Sequence, residues 1–125
     1  MPVTTVVDTD QRCVFMRVEG TATADELRAH YEKIISTPGF EPDFHSCSDL
    51  RGVTAMTVPT SSMRGFFAMS PYGPSSQRAF ILTSEMVQGM IRMLELSSEG
   101  RHGTIAVFAE PQEAYDWLRV SPPRG

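Results

Sequence analysis

The sequence predicts a single α/β domain with one mixed, mostly parallel five-stranded sheet, an N-terminal β-hairpin and about four helices. Three observations predict it: five short segments rich in β-branched or apolar residues, helical apolar spacing between the later ones, and a length of 125 residues, which suits one domain. A hairpin followed by alternating strands and helices implies parallel pairing with right-handed crossovers. The expected element order is β-β-α-β-α-β-α-β-α.

The chain begins with the predicted hairpin. Residues 3–7 are all β-branched and predict a strand, and residues 8–10 are typical of a turn. Residues 13–18 predict the returning strand, in which apolar residues alternate between the two faces. Gly20 is expected to end that strand.

The first helix is the clearest element of the sequence. Thr23 stands three residues before Glu26, which fits a capping box, and Pro38 and Gly39 end the helix. His30 is expected on its flank. Its apolar stripe is predicted to contain Leu27, Tyr31, Ile34 and Ile35.

The remaining elements follow from apolar runs and breakers. They are a strand at 44–50, a helix at 61–69, a strand at 78–83, a helix that starts at Ser84, a strand at 104–108 and a short helix opened by Pro111. The last helix should turn Ala114, Trp117 and Leu118 inward. The domain is expected to span 1–120, with 121–125 as a flexible tail because its prolines cannot continue a helix.

Composition excludes several classes of function. With a net charge of −4, the chain lacks the positive electrostatic field that nucleic-acid binding proteins use. No stretch approaches the ~20 apolar residues of a membrane span. The N-terminus shows no secretory signal. Cys13 and Cys47 are far apart and are expected to be reduced thiols in the cytoplasm.

Four parts of the sequence carry a family resemblance: the stretches Asp49-Leu50-Arg51-Gly52-Val53-Thr54 and Gly20-Thr21-Ala22-Thr23, the strand-and-helix pair at 78–90 and the closing helix at 113–118. Together they resemble the STAS/SpoIIAA-like group of small bacterial proteins. The likeness covers nearly the whole chain and is architectural. It implies a STAS-like fold, related to lipid-carrying SEC14-type domains, and points to no reaction.

In STAS proteins that antagonise anti-sigma factors, a serine of an Asp-Ser-Ser-Gly stretch at a helix N-terminus is phosphorylated. The nearest stretch here makes Thr60, Ser61 and Ser62 the candidate phosphoacceptors. Thr60 replaces the acid and Met63 replaces the glycine, so the switch does not follow from the resemblance. The alternative is that one of these residues only caps the helix, for which Ser and Thr are preferred.

His45, Cys47 and Asp49 form the sharpest chemical grouping. They lie at i, i+2 and i+4 and would share one side of a strand, where their side chains could form a nucleophile or a metal site. Successive residues on one side are ~6.6 Å apart along a strand, too far for a ready Cys–His hydrogen bond. The alternative is a structural role for all three.

A second set of residues is rich in methionine and phenylalanine. It could enclose an apolar ligand, fill the core or form a dimer interface, because methionine side chains adapt to irregular surfaces. Its apolar members are Met63, Phe66, Phe67, Met86 and Met90. Arg51 and Arg78 are expected at strand ends. The polar end of such a pocket would be formed by Asp49, Arg51, Thr83 and Ser84, near the carboxyl edge of the sheet.

The sequence therefore favours a non-catalytic regulatory or protein-interaction domain of STAS type, with a protein partner or a second copy of the chain. Phosphate-binding loops, the Rossmann glycine pattern, H-E-x-x-H and the nucleophile elbow are missing from the sequence, so no enzyme, cofactor or metal is expected. The alternative is a carrier or sensor of a small amphipathic, lipid-like molecule.

Overall fold

The computed structural model describes residues 3–56, 70–82 and 103–123, with the backbone alone at 55 and 56. Its five strands form one sheet in the order β1-β2-β3-β4-β5. The β1–β2 pair is antiparallel and the other three pairs are parallel, which confirms the predicted mixed sheet. The elements are β1 (Val3–Asp8), β2 (Cys13–Ala22), α1 (Ala24–Ser36), β3 (His45–Met56), β4 (Gln77–Ile81), β5 (Thr104–Phe108) and α2 (Pro111–Leu118).

Within the described residues, the structure has fewer helices than the sequence predicts for the whole chain. The described order is β-β-α-β-β-β-α, with two helices in place of about four. Most of the chain between β3 and β4, and between β4 and β5, belongs to residues outside the described ranges. The predicted helices at 61–69 and from Ser84 fall there, so they stay predictions.

The strand β2 passes through Gly20, so the prediction that this glycine ends the strand is wrong. Gly20 has a φ of 73°, and the pairing with β3 shifts register between Gly20 and Thr21. A glycine adopts this backbone without a Cβ penalty, so a strand can absorb an irregularity there and continue. Pairing extends to Ala22, opposite Met56.

The N-terminus of α1 is capped as predicted. The Glu26 N–H donates to Thr23 Oγ1 at 3.3 Å, and the Thr23 hydroxyl donates to Glu26 Oε1 at 2.9 Å. Asp25 and Glu26 occupy the first turn, where the helix dipole favours negative charge. The cap fixes where α1 starts and therefore which of its sides meets the sheet.

The buried side of α1 is rotated from the predicted one. Ile35 is 62% exposed, whereas His30 is only 7% exposed and lies beside fully buried Ile34. Leu27 and Tyr31 are partly buried against the core. The stripe is therefore centred on 27, 30, 31 and 34, and the eighth residue after Leu27 falls beyond its edge, because a helix turns about 100° per residue.

The two helices in the described part of the chain pack on opposite faces of the sheet. On the α1 face, Val14 packs with Ile34 and Phe44. On the α2 face, Ala114 and Leu118 are buried as predicted. They pack against a set of alternate strand residues: Cys13, Phe15, Cys47, Ala79 and Ile81. Side-chain alternation along each strand separates these two cores.

Candidate functional site

Asp49 and Arg51 form a hydrogen-bonded pair on the α2 face of the central strand β3. The Arg51 guanidinium donates from Nε to Asp49 Oδ1 at 3.0 Å and from Nη2 to Oδ2 at 2.8 Å. The Arg51 backbone N–H adds a third bond to Oδ1 at 3.1 Å. The residues are two positions apart, so they share one face of the strand, and two parallel bonds hold the guanidinium in one orientation.

This pairing favours the charged form of both groups. Partial burial alone would raise the pKa of Asp49, but the hydrogen bonds and charge of Arg51 outweigh it and hold that pKa below its usual value. The pKa of Arg51 is raised by the hydrogen bond to Asp49. Both groups are therefore charged at neutral pH. The side chains are 21% and 41% exposed respectively, so solvent reaches the pair and a ligand can too.

The pair lies in a cleft of about 220 Å³ between the sheet and α2, here named the Arg51 cleft. Phe15 and Tyr115 contribute aromatic walls, with ring centroids 6.4 Å apart in an edge-to-face arrangement. Arg17 lies at the rim in an exposed ion pair with Glu19. Residues that line the cleft include Phe15, Arg17, Cys47, Asp49, Arg51 and Tyr115. The result is a recess with both charged and aromatic surfaces.

The Cys47 thiol at the base of the cleft is chemically quiet. Burial, with a smaller contribution from the Asp49 carboxylate, raises its pKa to about 12. A thiol attacks as its thiolate, so Cys47 is not prepared to act as a nucleophile at neutral pH. It packs as a small apolar residue in the core under α2.

His45 has a structural partner. Its Nδ1 accepts the backbone N–H of Gln77 at 2.8 Å and so ties the start of β3 to β4. Burial lowers its pKa, an effect that Asp43 opposes and Arg12 reinforces. Within 3–56, 70–82 and 103–123, no group of three or more His, Cys, Asp or Glu residues is placed to hold a metal. The structural interpretation of the 45–47–49 grouping is the one these contacts favour.

The structure brings together two of the predicted site residues, Asp49 and Arg51. The others lie outside the described residues and stay predictions. The candidate phosphoacceptors in this group are Thr60, Ser61 and Ser62. The candidate ligand-binding residues in it are Met63, Phe66, Phe67, Thr83, Ser84, Met86 and Met90.

Arg78 lies near the start of β4, as predicted, but its side chain is buried. It is 4% exposed and its guanidinium lies 4.7 Å from the centroid of the Tyr72 ring and 5.7 Å from that of Phe80. Burial raises the pKa of Tyr31, and a hydrogen bond with Arg78 partly offsets that rise. The core of the α1 face therefore holds a cation among aromatic rings. An arginine directly before the apolar run at 79–82 was the signal that could have revealed it.

Tyr115 is a residue of the cleft that sequence reasoning missed. It follows buried Ala114 on α2 and is partly buried against the α2-face core. Burial is the main cause of its raised pKa. Its position beside the inward-facing residues of the last helix was the only signal in the sequence.

These features define a class: an α/β domain with a mixed sheet, helices on both faces and a small charged cleft beside the central strand. The sequence matches no family model and no curated protein. A solved structure is similar: an uncharacterized protein of the DUF3478 family from Shewanella loihica, described as having a SpoIIAA-like fold. The two chains are 14% identical, the match covers 93% of this chain and 91% of the other, and the TM-score is 0.62.

This likeness confirms the SpoIIAA-like fold that the sequence resemblance predicts. At 14% identity it establishes the fold alone. In the described part of the chain, neither helix has the length and apolar character needed to cross a bilayer.

Proposed function

We propose that this chain is a non-catalytic regulatory or protein-interaction domain of the STAS type, and that it docks a protein partner at the Arg51 cleft. The observation that carries the proposal is the Asp49–Arg51 pair, held by three hydrogen bonds on the central strand and open to solvent. A preorganised arginine beside aromatic rings is typical of residues that dominate protein interfaces.

The chemistry of the cleft favours binding over catalysis. Asp49 is ionised and engaged by Arg51, and Cys47 is protonated at neutral pH. A general base or a nucleophile needs a pKa matched to the operating pH and a free orientation towards substrate. Neither group meets these conditions. Both cysteines are free and buried, which suits a reducing compartment such as the cytoplasm.

The size of the cleft favours a protein side chain or short segment over a lipid. Its volume of about 220 Å³ is below the ~300–1,000 Å³ of sites that enclose drug-sized ligands. The alternative, an amphipathic-molecule carrier, depends on apolar residues outside the described ranges. It is therefore treated as an outcome of the test below.

Gentle affinity purification from the native host, followed by native mass spectrometry, tests the proposal. We expect the chain to carry a protein-sized partner in fixed stoichiometry. The change Arg51→Glu should remove that partner because it places a carboxylate against Asp49 and reverses the charge of the cleft.

Arg28→Glu is the matched control. Arg28 is on α1, on the other side of the sheet, in an exposed pair with Asp25, so this variant should keep the partner. Recovery of a lipid-sized mass in place of a protein, or equal loss in both variants, would count against docking at the Arg51 cleft.

A further inference from the structure

The segment that follows α2 lies back on the sheet. Arg119 has a left-handed backbone with a φ of 59°, and the Val120 N–H donates to the Tyr115 carbonyl at 3.0 Å. A residue in this conformation reverses the chain at a helix end. The chain then reaches the β1–β2 turn, where Ser121 meets Gln11.

The side-chain carboxamide of Gln11 forms hydrogen bonds with both the N–H and the carbonyl of Ser121. The Ser121 N–H donates to Gln11 Oε1 at 2.5 Å, and Gln11 Nε2 donates to the Ser121 carbonyl at 3.2 Å. Asp8 fixes the orientation of the carboxamide: its Oδ2 accepts from Gln11 Nε2 at 2.9 Å and its Oδ1 from the Gln11 backbone N–H at 3.1 Å. We name this arrangement of Asp8 and Gln11 the Gln11 clamp.

The two residues after the clamp lie at two neighbouring clefts. Pro122 lines a recess of about 460 Å³ formed with the β1–β2 turn. Pro123 lines the Arg51 cleft with Phe15 and Tyr115. Val6 borders both recesses, so the clefts adjoin along β1.

From this geometry we propose that the Gln11 clamp and its two clefts form a recognition site for an extended, proline-bearing peptide segment of a partner. Ser121 is then the intramolecular occupant of the clamp, and Pro122 and Pro123 border the two clefts. The inference rests on the proposed function and names the kind of partner segment that it would bind.

The chemistry fits such a segment. The clamp pairs with a main-chain N–H and carbonyl, which every residue except proline can offer. The next two positions need no N–H donor if they are prolines, and proline-rich segments dock in aromatic-lined grooves as preformed extended chains. Ser121 and Pro122 are exposed and Pro123 is half-buried, so a competing segment can displace this occupant.

Occupation by the chain's own segment has a measurable consequence. A tethered ligand acts at an effective concentration of roughly millimolar. A peptide added in solution therefore competes poorly with residues 121–123 and should bind better when they are weakened.

The test uses the full chain and a synthetic peptide with the sequence of residues 119–125, Arg-Val-Ser-Pro-Pro-Arg-Gly, titrated by calorimetry and followed by NMR at Gln11 and Tyr115. The double variant Pro122→Ala with Pro123→Ala leaves the clamp intact. We expect it to bind the peptide about tenfold more tightly than the wild-type chain does. A peptide in which both prolines are alanine should bind about tenfold more weakly.

Gln11→Ala, added to the double variant, should reduce peptide binding about tenfold or more because two hydrogen bonds are lost. The matched control is Gln112→Ala, which removes an exposed glutamine that bonds Asp116 on α2; it should leave peptide binding unchanged. Equal affinity for the two peptides, or no binding to the double variant, would overturn the inference.

The outcomes separate this inference from the proposed function. A protein partner recovered in an Arg51-dependent manner, with no peptide binding, would overturn the inference and leave the proposed function standing. Peptide binding without any recovered partner would overturn the proposed docking at the Arg51 cleft and leave the peptide-recognition site standing.

Discussion

Replacement of Gly103 by alanine is expected to lower the free energy of unfolding by about 4 kcal/mol. Gly103 precedes β5 and has a φ of 104°, a backbone that side chains with a Cβ rarely adopt. An added Cβ would clash with the Ser76 carbonyl oxygen. That oxygen accepts the Thr104 N–H at 2.9 Å, so relief of the clash disturbs the start of the β4–β5 pairing. Urea denaturation followed by circular dichroism measures the loss.

Gly20→Ala is the matched control for this prediction. Gly20 has a φ of 73° but no atom within 4 Å of an added Cβ, so this variant carries backbone strain without a clash. We expect it to cost ~1–2 kcal/mol. Equal losses in the two variants would show that the close approach of Gly103 to Ser76 is not a feature of the protein.

Acidification from pH 7 to pH 4 is expected to lower the free energy of unfolding by about 3 kcal/mol through His30. Burial, together with the positive charges of Arg78 and Lys33, lowers the pKa of His30 to about 4. The unfolded chain takes up this proton near pH 6.5 and the folded chain does so only near pH 4. Stability is therefore full above about pH 6.5 and declines as pH falls towards 4.

His30→Gln removes the titrating group, so the slope of stability against pH over this range should become much flatter. His45→Gln is the matched control, since the pKa of His45 is also lowered but the residue is far less buried than His30. It should keep most of the slope. An NMR titration that places the His30 pKa near 6.5, or an unchanged slope in His30→Gln, would contradict this account.

The sheet could be predicted from the sequence because its strands carry local signals. The β-branched run at 3–7, the alternation at 13–18 and the apolar run at 104–108 all became strands of the one sheet. The continuation of β2 beyond Gly20 could not be predicted, because a glycine that ends a strand and one that allows a bulge look alike in sequence. Only the pairing with β3 distinguishes them.

The polar core of the α1 face could not be predicted because burial of a polar residue depends on its tertiary partners. His30 is buried with its Nδ1 2.7 Å from Thr5 Oγ1, and Lys33 Nζ donates to the Thr5 carbonyl at 2.6 Å. These contacts join residues more than 20 positions apart. Sequence reasoning placed the greasier Ile35 inward instead, and that side chain is exposed.

Only the local part of the candidate site could be predicted from the sequence. Asp49 and Arg51 lie two residues apart, so their pairing is local and follows from strand periodicity. Tyr115 reaches the cleft, and Ser121 reaches Gln11, from positions far along the chain from their partners. Long-range contacts of this kind follow from the order of strands in the sheet, which no local pattern encodes.

The central claim is that a protein partner docks on the α2 face at the Arg51 cleft. Site-specific photo-crosslinking in the native host tests it most directly, with p-benzoylphenylalanine placed at Tyr115 in the cleft or at exposed Ile35 on α1. The account predicts a protein adduct from position 115 that disappears when Arg51→Glu is added, and none from position 35. An adduct from position 35 alone, or a lipid adduct at 115, would contradict it.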